Sequence, residues 1–295
     1  MPVLRCPSYA MRAVLATCVA ALMACTILVA LPDTALADDS ALPAPKSVKA
    51  KATKQCTVKV SWSKVPGADG YCIYWSKNKN KGYKSVGTVP AYATSFTHKK
   101  ALAGVKNYYK VVANHHFNGE GVRSKTAVAK VGSTFKNALF KFTIPKYWRG
   151  KVYISDEVTN SDYKSVYVRD IKTMADLAWV EWIDSSYQNG GDIATHPVKS
   201  WKRGRGNVSL WVRAWPMNLY YSKYLNHAGN PSFDPYGFGN WVQLTNAETN
   251  RLIKLQTGGK LSYSKVKKVS DSKMVKYAKI ADRYVAKNLK LKIVR

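Results

Sequence analysis

Residues 58–75 read VKVSWSKVPGADGYCIYW, with apolar and polar residues alternating on both sides of a turn. Val58, Val60 and Trp62 share one face of the first segment, and Tyr71 and Ile73 share one face of the second. A period of two indicates β-strands that are buried on one side only. The intervening residues 65–70, VPGADG, are typical of a turn. The pattern therefore predicts antiparallel sheets packed as a sandwich.

A later segment, residues 101–113 (ALAGVKNYYKVVA), repeats the alternation through Tyr109, Val111 and Ala113. Together with Pro43-Ala44-Pro45 and the 58–75 segment, it resembles a bacterial fibronectin type III module covering about residues 43–132. One position departs from that pattern, because Asn107 stands where the family has its corner tyrosine. The corner hydrogen bond is then either missing or supplied by Tyr108.

The region 135–295 changes from strand-like to helical patterns along its length. Thr245 and Glu248 form a capping-box pattern that predicts a helix ending near Gly258-Gly259. A second helix is predicted from Ser270, with an apolar stripe at helical spacing through Met274, Tyr277, Ala278, Ala281, Tyr284 and Val285. Strands are predicted before the helices, at residues 138–144, 152–154, 165–168, 177–183 and 208–215. The fold class is thus an all-β sandwich, fibronectin type III-like, followed by an α+β domain with two C-terminal helices.

The N-terminus has the layout of a secretory signal. A basic start with Arg5 and Arg12 precedes the apolar run 13–31, and Ala35-Leu36-Ala37 offers a cleavage site. We expect residues 1–37 to be a signal peptide and 38–42 a linker, with export by the general secretory route to the cell surface or beyond. An uncleaved membrane anchor is the alternative; after cleavage no membrane span is expected.

Cleavage would leave two cysteines, Cys56 and Cys72. Cys56 lies six residues before Trp62, about 20 Å back along its strand. Cys72 lies near the Trp62 end and is expected to point outward from the sandwich. A disulfide requires Cα atoms within about 7 Å, so we predict two free thiols, with Cys72 available for pairing between chains.

The charge is strongly positive, with 47 Lys+Arg against 17 Asp+Glu and a net charge of +30. Residues 1–37 contribute only Arg5, Arg12 and Asp33, so the rest of the chain keeps +29. Such a field favours anionic partners. With export, the expected partner is an anionic cell-wall polymer or glycan, or a surface protein.

Aromatic residues crowd the stretch 201–241. In the predicted strand 208–215, Ser209, Trp211, Arg213 and Trp215 share the face opposite Val208, Leu210 and Val212. Tryptophan mixed with arginine and serine favours stacking on a ring or contact with an anion. The candidate ligand-binding residues are Trp211, Arg213, Trp215, Tyr220 and Trp241. In the alternative, the helices cover this face and the tryptophans are core.

Catalysis has one weak candidate, the pair Asp192 and His196, with Asp184 or Glu181 nearby. No nucleophile motif, metal-ligand spacing or phosphate loop accompanies it, so we expect no cofactor and no metal, and lean against an enzyme. The adjacent His115 and His116 lack a third ligand and are read as polar loop residues. For the sandwich itself, two roles are considered: a spacer, or adhesion through the loop 114–121.

Three fragments of the second region also carry a resemblance. Residues 142–152 (FTIPKYWRGKV), 190–196 (GGDIATH) and 255–263 (LQTGGKLSY) resemble a domain of secreted and lipid-anchored proteins of Gram-positive gut bacteria. That resemblance implies location rather than mechanism. The leading hypothesis is an exported non-catalytic binding protein; a secreted glycan or wall hydrolase and a nucleic-acid-binding protein are the alternatives.

Overall fold

A computed structural model describes most of the chain from residue 42 onward. The proposed signal sequence, residues 1–37, lies outside the described residues. The described ranges are 42–54, 56–115, 121–158, 163–186, 197–212, 232–233, 242–267 and 269–294.

The first part of the chain is a seven-stranded antiparallel sandwich. One sheet has the order β1-β2-β5 and the other β4-β3-β6-β7. The predicted inward residues are the core: Val58, Val60, Tyr71 and Tyr109 are almost fully buried. The strands are β1 (Lys49–Lys54), β2 (Thr57–Ser61), β3 (Gly70–Ser76), β4 (Lys84–Pro90), β5 (Ser95–His98), β6 (Lys106–Asn114) and β7 (Ala127–Lys130). The predicted type III-like sandwich is confirmed.

Asn107 itself supplies the corner hydrogen bonds that the missing tyrosine would make. Its Oδ1 accepts from the Leu102 backbone N–H and the Trp75 indole, both at 2.9 Å. Its Nδ2 donates to the Leu102 carbonyl at 3.0 Å and the Val105 carbonyl at 3.3 Å. The side chain is fully buried, so all of its polar capacity is used inside the protein. The suggested replacement by Tyr108 is wrong, because Asn107 fills the role.

Both cysteines of the described part are free, as predicted. Cys56 is fully buried, and burial raises the pKa of its thiol to about 12. Cys72 differs from the expectation of an outward, pairing-competent thiol, because it is only 2 % exposed. Its sulfur lies 3.3 Å from the Ser85 hydroxyl of the neighbouring strand β4. The outer face of β3 is therefore covered at this point.

The second part of the chain is built on a five-stranded antiparallel sheet of order β10-β11-β12-β14-β13. A three-stranded sheet of order β17-β9-β8 and a two-stranded pair β15-β16 accompany it. The strands are β8 (Thr134–Lys136), β9 (Phe140–Thr143), β10 (Val152–Val158), β11 (Tyr163–Asp170), β12 (Asp176–Asp184), β13 (Lys199–Arg203), β14 (Gly206–Trp211), β15 (Ser232–Phe233), β16 (Val242–Gln243) and β17 (Lys292–Ile293).

The helices follow the sheet strands, which confirms the α+β organisation. Helix α1 (Asn246–Thr257) begins at the predicted capping box of Thr245 and Glu248 and ends at Gly258 in the left-handed conformation. A one-turn helix, α2 (Tyr263–Val266), was not predicted. Helix α3 (Asp271–Leu289) follows Ser270, and Ala278, Ala281 and Val285 of its stripe are buried. Among the described residues, no helix is long and apolar enough to cross a membrane.

The two parts share one hydrophobic core, and backbone hydrogen bonds join them. The Ala103 N–H donates to the Val152 carbonyl, and the Gly150 N–H donates to the Ala103 carbonyl, both at 2.9 Å. A 3-10 turn, Lys146–Trp148, lies between β9 and β10. The two parts are therefore in direct contact. The assignment of residues 43–132 and 135–295 to separate domains stays a prediction.

Replacing Asn107 by alanine should lower the free energy of unfolding by about 3 kcal/mol, because several buried backbone groups and an indole lose their partner. Urea denaturation of both proteins measures this change. The neighbouring exposed Lys106→Ala is the control and should stay within about 0.5 kcal/mol of the parent. A loss below about 1 kcal/mol for Asn107→Ala would contradict the assigned role.

His98 gives the sandwich a pH dependence. Its Nδ1 lies 3.0 Å from the Tyr109 hydroxyl in the core. Burial, and then the charge of Lys100, lower its pKa from 6.5 to about 4. Between pH 6.5 and about 4, this histidine is therefore protonated in the unfolded chain and neutral in the folded chain.

We expect the sandwich to lose up to about 3 kcal/mol of stability as the pH falls from 6.5 to about 4, through this histidine alone. The His98→Gln variant should not show this loss. The free energy of unfolding of both proteins, measured against pH, therefore gives the contribution of His98 as the difference between them. Burial raises the pKa of Asp282 to about 6, so this carboxyl makes the protein more stable as the pH falls. Both proteins contain Asp282, so its contribution cancels in the comparison. A difference that is independent of pH would refute the prediction.

Candidate functional site

The cross-strand register of the five-stranded sheet aligns three aromatic side chains in one row. Tyr167 of β11 lies opposite Trp179 of β12, and Trp179 lies opposite Trp211 of β14. Residues directly opposite in antiparallel strands project from the same face of a sheet. The three side chains therefore form a continuous strip across three strands, which we call the aromatic ladder. Each residue is partly exposed.

The ladder is an offset stack with a cation at one end. The Trp179 and Trp211 rings are parallel to within 2°, with centroids 5.6 Å apart. Tyr167 and Trp179 have centroids 6.3 Å apart at an interplanar angle of 25°. Carbon atoms in contact lie about 3.5–4.0 Å apart, so the rings are displaced sideways and leave part of each face uncovered. The Arg169 guanidinium lies 4.6 Å from the Tyr167 centroid.

Arg169 is fixed in place by an acid on the neighbouring strand. Its Nε lies 2.6 Å from Asp176 Oδ1, and the carboxylate is 7 % exposed while the arginine is 21 % exposed. A charge-assisted bond of this kind orients the guanidinium plane. The end of the ladder thus presents a positioned arginine rather than a freely rotating one.

A polar row runs beside the ladder on the same face. Ser165, Glu181 and Ser209 are paired across the strands, and all three are buried. The Trp179 indole N–H donates to Glu181 Oε2 at 3.3 Å. The Trp211 indole nitrogen is buried and finds no acceptor among the described residues.

The opposite face of the sheet is the one that packs against the helices. Val166, Val168 and Val180 are fully or almost fully buried there. Asp170, on the same side, is fully buried and paired with Arg251 of α1 at 2.5 Å. The Gln256 side chain of α1 also donates to the Leu177 carbonyl at 2.7 Å. These contacts therefore place the helices on the face opposite Trp211, and not on the Trp211 face as in the alternative.

The structure locates one of the five predicted ligand-binding residues. Trp211 lies at the end of the ladder, on the face that alternation predicted. The other four, Arg213, Trp215, Tyr220 and Trp241, lie outside the described residues. Their role stays a prediction.

The proposed catalytic pair, Asp192 and His196, also lies outside the described residues. Its two suggested neighbours have other partners. Asp184 contacts Arg205 and accepts from the Ser186 hydroxyl and backbone N–H, and these Ser186 bonds, ahead of Arg205, lower the pKa of its carboxyl. Glu181 accepts from the Trp179 indole.

Metal binding finds no support among the residues with described positions, where no three acidic, histidine or cysteine side chains are grouped for a cation. His115 instead lies with its Nδ1 3.4 Å from Asp69 and 3.2 Å from the Gly67 carbonyl. That local contact fits its interpretation as a polar loop residue. His116 and Phe117, in the same loop, lie outside the described residues.

Tyr167, Trp179 and Arg169 were missed by reasoning from the sequence. A signal was present, because Tyr167 alternates with the buried Val166 and Val168, and Trp179 with Ala178 and Val180. Alternation assigns each of them to the less apolar face of its own strand. It does not reveal that the three strands are neighbours in the order β11-β12-β14.

No protein-family model matches the sequence, and neither does any curated protein. Three solved structures match over about a third of the chain each. An Fn3-like protein from Clostridium thermocellum is 26% identical over 31% of this chain and 95% of its own, with a TM-score of 0.29. The fn3 domain of human contactin 1 is 21% identical over 30% and 77%, with a TM-score of 0.28. A beta-1,2-glucanase from Parabacteroides distasonis is 28% identical over 32% of this chain but only 13% of its own, with a TM-score of 0.28.

Proposed function

We propose that this protein is a non-catalytic binding protein of the cell surface or wall, and that it binds an anionic wall polymer or glycan on the aromatic ladder. The observation that carries the proposal is the row of three partly exposed rings, Tyr167, Trp179 and Trp211, ending at Arg169. The sheet holds these rings in place before any ligand arrives. A preformed surface loses little conformational entropy on binding.

The chemistry of the ladder suits a sugar polymer. Uncovered aromatic faces offer apolar area to the C–H faces of sugar rings. The Arg169 guanidinium, whose Nε is paired with Asp176, lies beside the first ring, where a carboxylate or phosphate substituent of the polymer would lie. A few directed polar groups beside aromatic surface are typical of ligand sites.

The overall charge supports an anionic ligand but does not specify which one. The net charge of +30 raises the local concentration of any polyanion and speeds its encounter with the protein. Nucleic acid would respond to the same field. The ladder distinguishes a directed site from general attraction, because binding by charge alone would not depend on aromatic rings at one face of one sheet.

The hydrolase hypothesis remains a separate, less favoured proposal. Its test is turnover of wall glycan by the parent and by Asp192→Ala and His196→Ala. If the parent protein shows no turnover, the hypothesis lapses. The binding proposal predicts that both variants retain full affinity.

Removal of either indole, as Trp179→Ala or Trp211→Ala, should weaken binding to isolated wall glycan by about tenfold, which corresponds to the loss of about 1.5 kcal/mol of stacking. Isothermal titration with soluble wall-glycan fragments measures the Kd of each variant. Trp201→Ala is the matched control, because Trp201 is a half-buried tryptophan of the same sheet that pairs with Val208 on the other face. Its affinity should stay within twofold of the parent.

Salt and competition separate this mode from general polyanion binding. Affinity for the anionic polymer should fall with rising salt but retain a residual aromatic contribution at 1 M, where the screening length is about 3 Å. Teichoic-acid-like polymer should displace bound glycan more effectively than DNA of equal charge. Equal loss of binding in Trp201→Ala and Trp211→Ala, or stronger competition by DNA, would refute the assignment to the ladder.

A further inference from the structure

A concave site lies on the 3-10 turn, away from the sheet face that carries the ladder. The cavity has a volume of about 510 Å³. One wall is the turn and the chain that follows it, and the other is the C-terminal half of α3. The lining residues are Lys146, Tyr147, Arg149, Lys151, Tyr284 and Asn288. We call it the basic cavity.

The charges of the basic cavity are all of one sign. Lys146, Arg149 and Lys151 line it without a carboxylate among the lining residues. Within the described part of the chain, none of these three forms an ion pair. Burial, and then the nearby charge of Arg251, lower the pKa of Lys151. The lining therefore carries three cations and no acid that neutralises them.

The turn that carries these cations is rigidly attached to the rest of the protein. Trp148, between them, is fully buried, and its indole N–H donates to the Leu255 carbonyl of α1 at 2.7 Å. The Lys151 carbonyl accepts from the Ile171 N–H at 3.0 Å. The Lys151 ammonium lies 3.6 Å from the centre of the Tyr147 ring. The backbone that carries the cations is therefore fixed, and the Lys151 ammonium is held against the Tyr147 ring.

The opposite wall is equally constrained. The Tyr284 ring packs on Gly258, where a Cβ atom would lie only 2.3 Å from the ring. Gly258 has a φ of 62°, so the glycine serves both the end of α1 and the close approach of the ring. The Asn288 Nδ2 donates to the Tyr284 carbonyl at 2.7 Å. Two tyrosine rings thus line a site whose polar groups include the hydroxyls of Tyr147 and Tyr284.

We propose that the basic cavity binds a phosphate group carried on a sugar or polyol. Lysine ammonium groups act as point charges for phosphate, and arginine binds it through two parallel N–H donors. The tyrosine rings would contact the apolar part of the attached sugar or polyol. The volume exceeds that of a lone anion and falls within the range of small-molecule sites. This site does not depend on the ladder, so either proposal can fail without the other.

The test uses the full chain and measures the Kd for inorganic phosphate, glycerol 3-phosphate and poly(glycerol phosphate) by isothermal titration, with glycerol as the neutral control. The double variant Lys146→Met/Lys151→Met keeps most of each aliphatic stem and removes two charges. Lys130→Met/Lys141→Met removes two exposed charges from the β-sheets as the matched control. We expect at least about tenfold weaker binding in the first double variant and less than twofold change in the second.

The three probes distinguish the source of the phosphate group. Binding of inorganic phosphate or glycerol 3-phosphate identifies a free phosphomonoester, and saturable binding of the polymer alone identifies a phosphodiester within a chain. Equal weakening in both double variants would show that diffuse surface charge is responsible and would overturn the proposal. Failure of all three probes to bind would also overturn it.

A second measurement separates the basic cavity from the ladder. The ε-methylene NMR signal of Lys151 reports its ionisation, and phosphate binding should move its titration to higher pH. Trp179→Ala should leave this shift unchanged, because the ladder lies on a different face. A titration of Lys151 that phosphate does not move would contradict its place in the site.

Discussion

The side-chain amide of Asn107 holds the corner on which both halves of the protein depend. Its four hydrogen bonds fix the loop 101–105, which closes the sandwich between β5 and β6. The same loop supplies the backbone groups of Ala103 that pair with Val152 and Gly150. A corner that served only the sandwich could vary in conformation. Here any change in the loop would also displace the start of the five-stranded sheet.

The second half of the protein is positioned by a small number of buried polar contacts. Asp170 accepts from Arg251 and from Thr173, and it is fully buried. A buried charge pair adds little net stability, but its loss is costly, so it restricts how α1 can sit on the sheet. With α1 fixed on one face, the aromatic ladder is left on the other. The Trp148 contact with α1 similarly fixes the turn that carries the cations of the basic cavity.

The part of the fold that follows from local pattern could be predicted from the sequence. Alternation identified the strands around Val58 and Tyr71, and the capping box at Thr245 identified the start of α1. The role of Asn107 was not foreseen, because its four partners are backbone and indole groups whose positions depend on the folded corner. Cys72 was correctly predicted to be free but not to be buried, since the strand pattern does not show what covers an outer face.

The candidate sites were predicted only in part, for a related reason. Trp211 was found from its own strand, whereas Tyr167 and Trp179 belong to strands that precede it by about thirty residues or more. Their alignment depends on the register between strands, which a single sequence does not specify. The basic cavity depends on a contact between a turn at residue 147 and a helix at residue 284. Contacts between elements so distant in the sequence are set by the tertiary fold.

The buried thiols have a consequence for how the chain can mature. Cys56 is fully buried with a pKa of about 12, and Cys72 is 2 % exposed, so neither offers a reactive thiolate in the folded state. Small secreted domains are often stabilised by disulfides. In the described part of this chain, packing and hydrogen bonds replace such cross-links. The described fold therefore needs no oxidant to form, and burial protects both thiols once folding is complete.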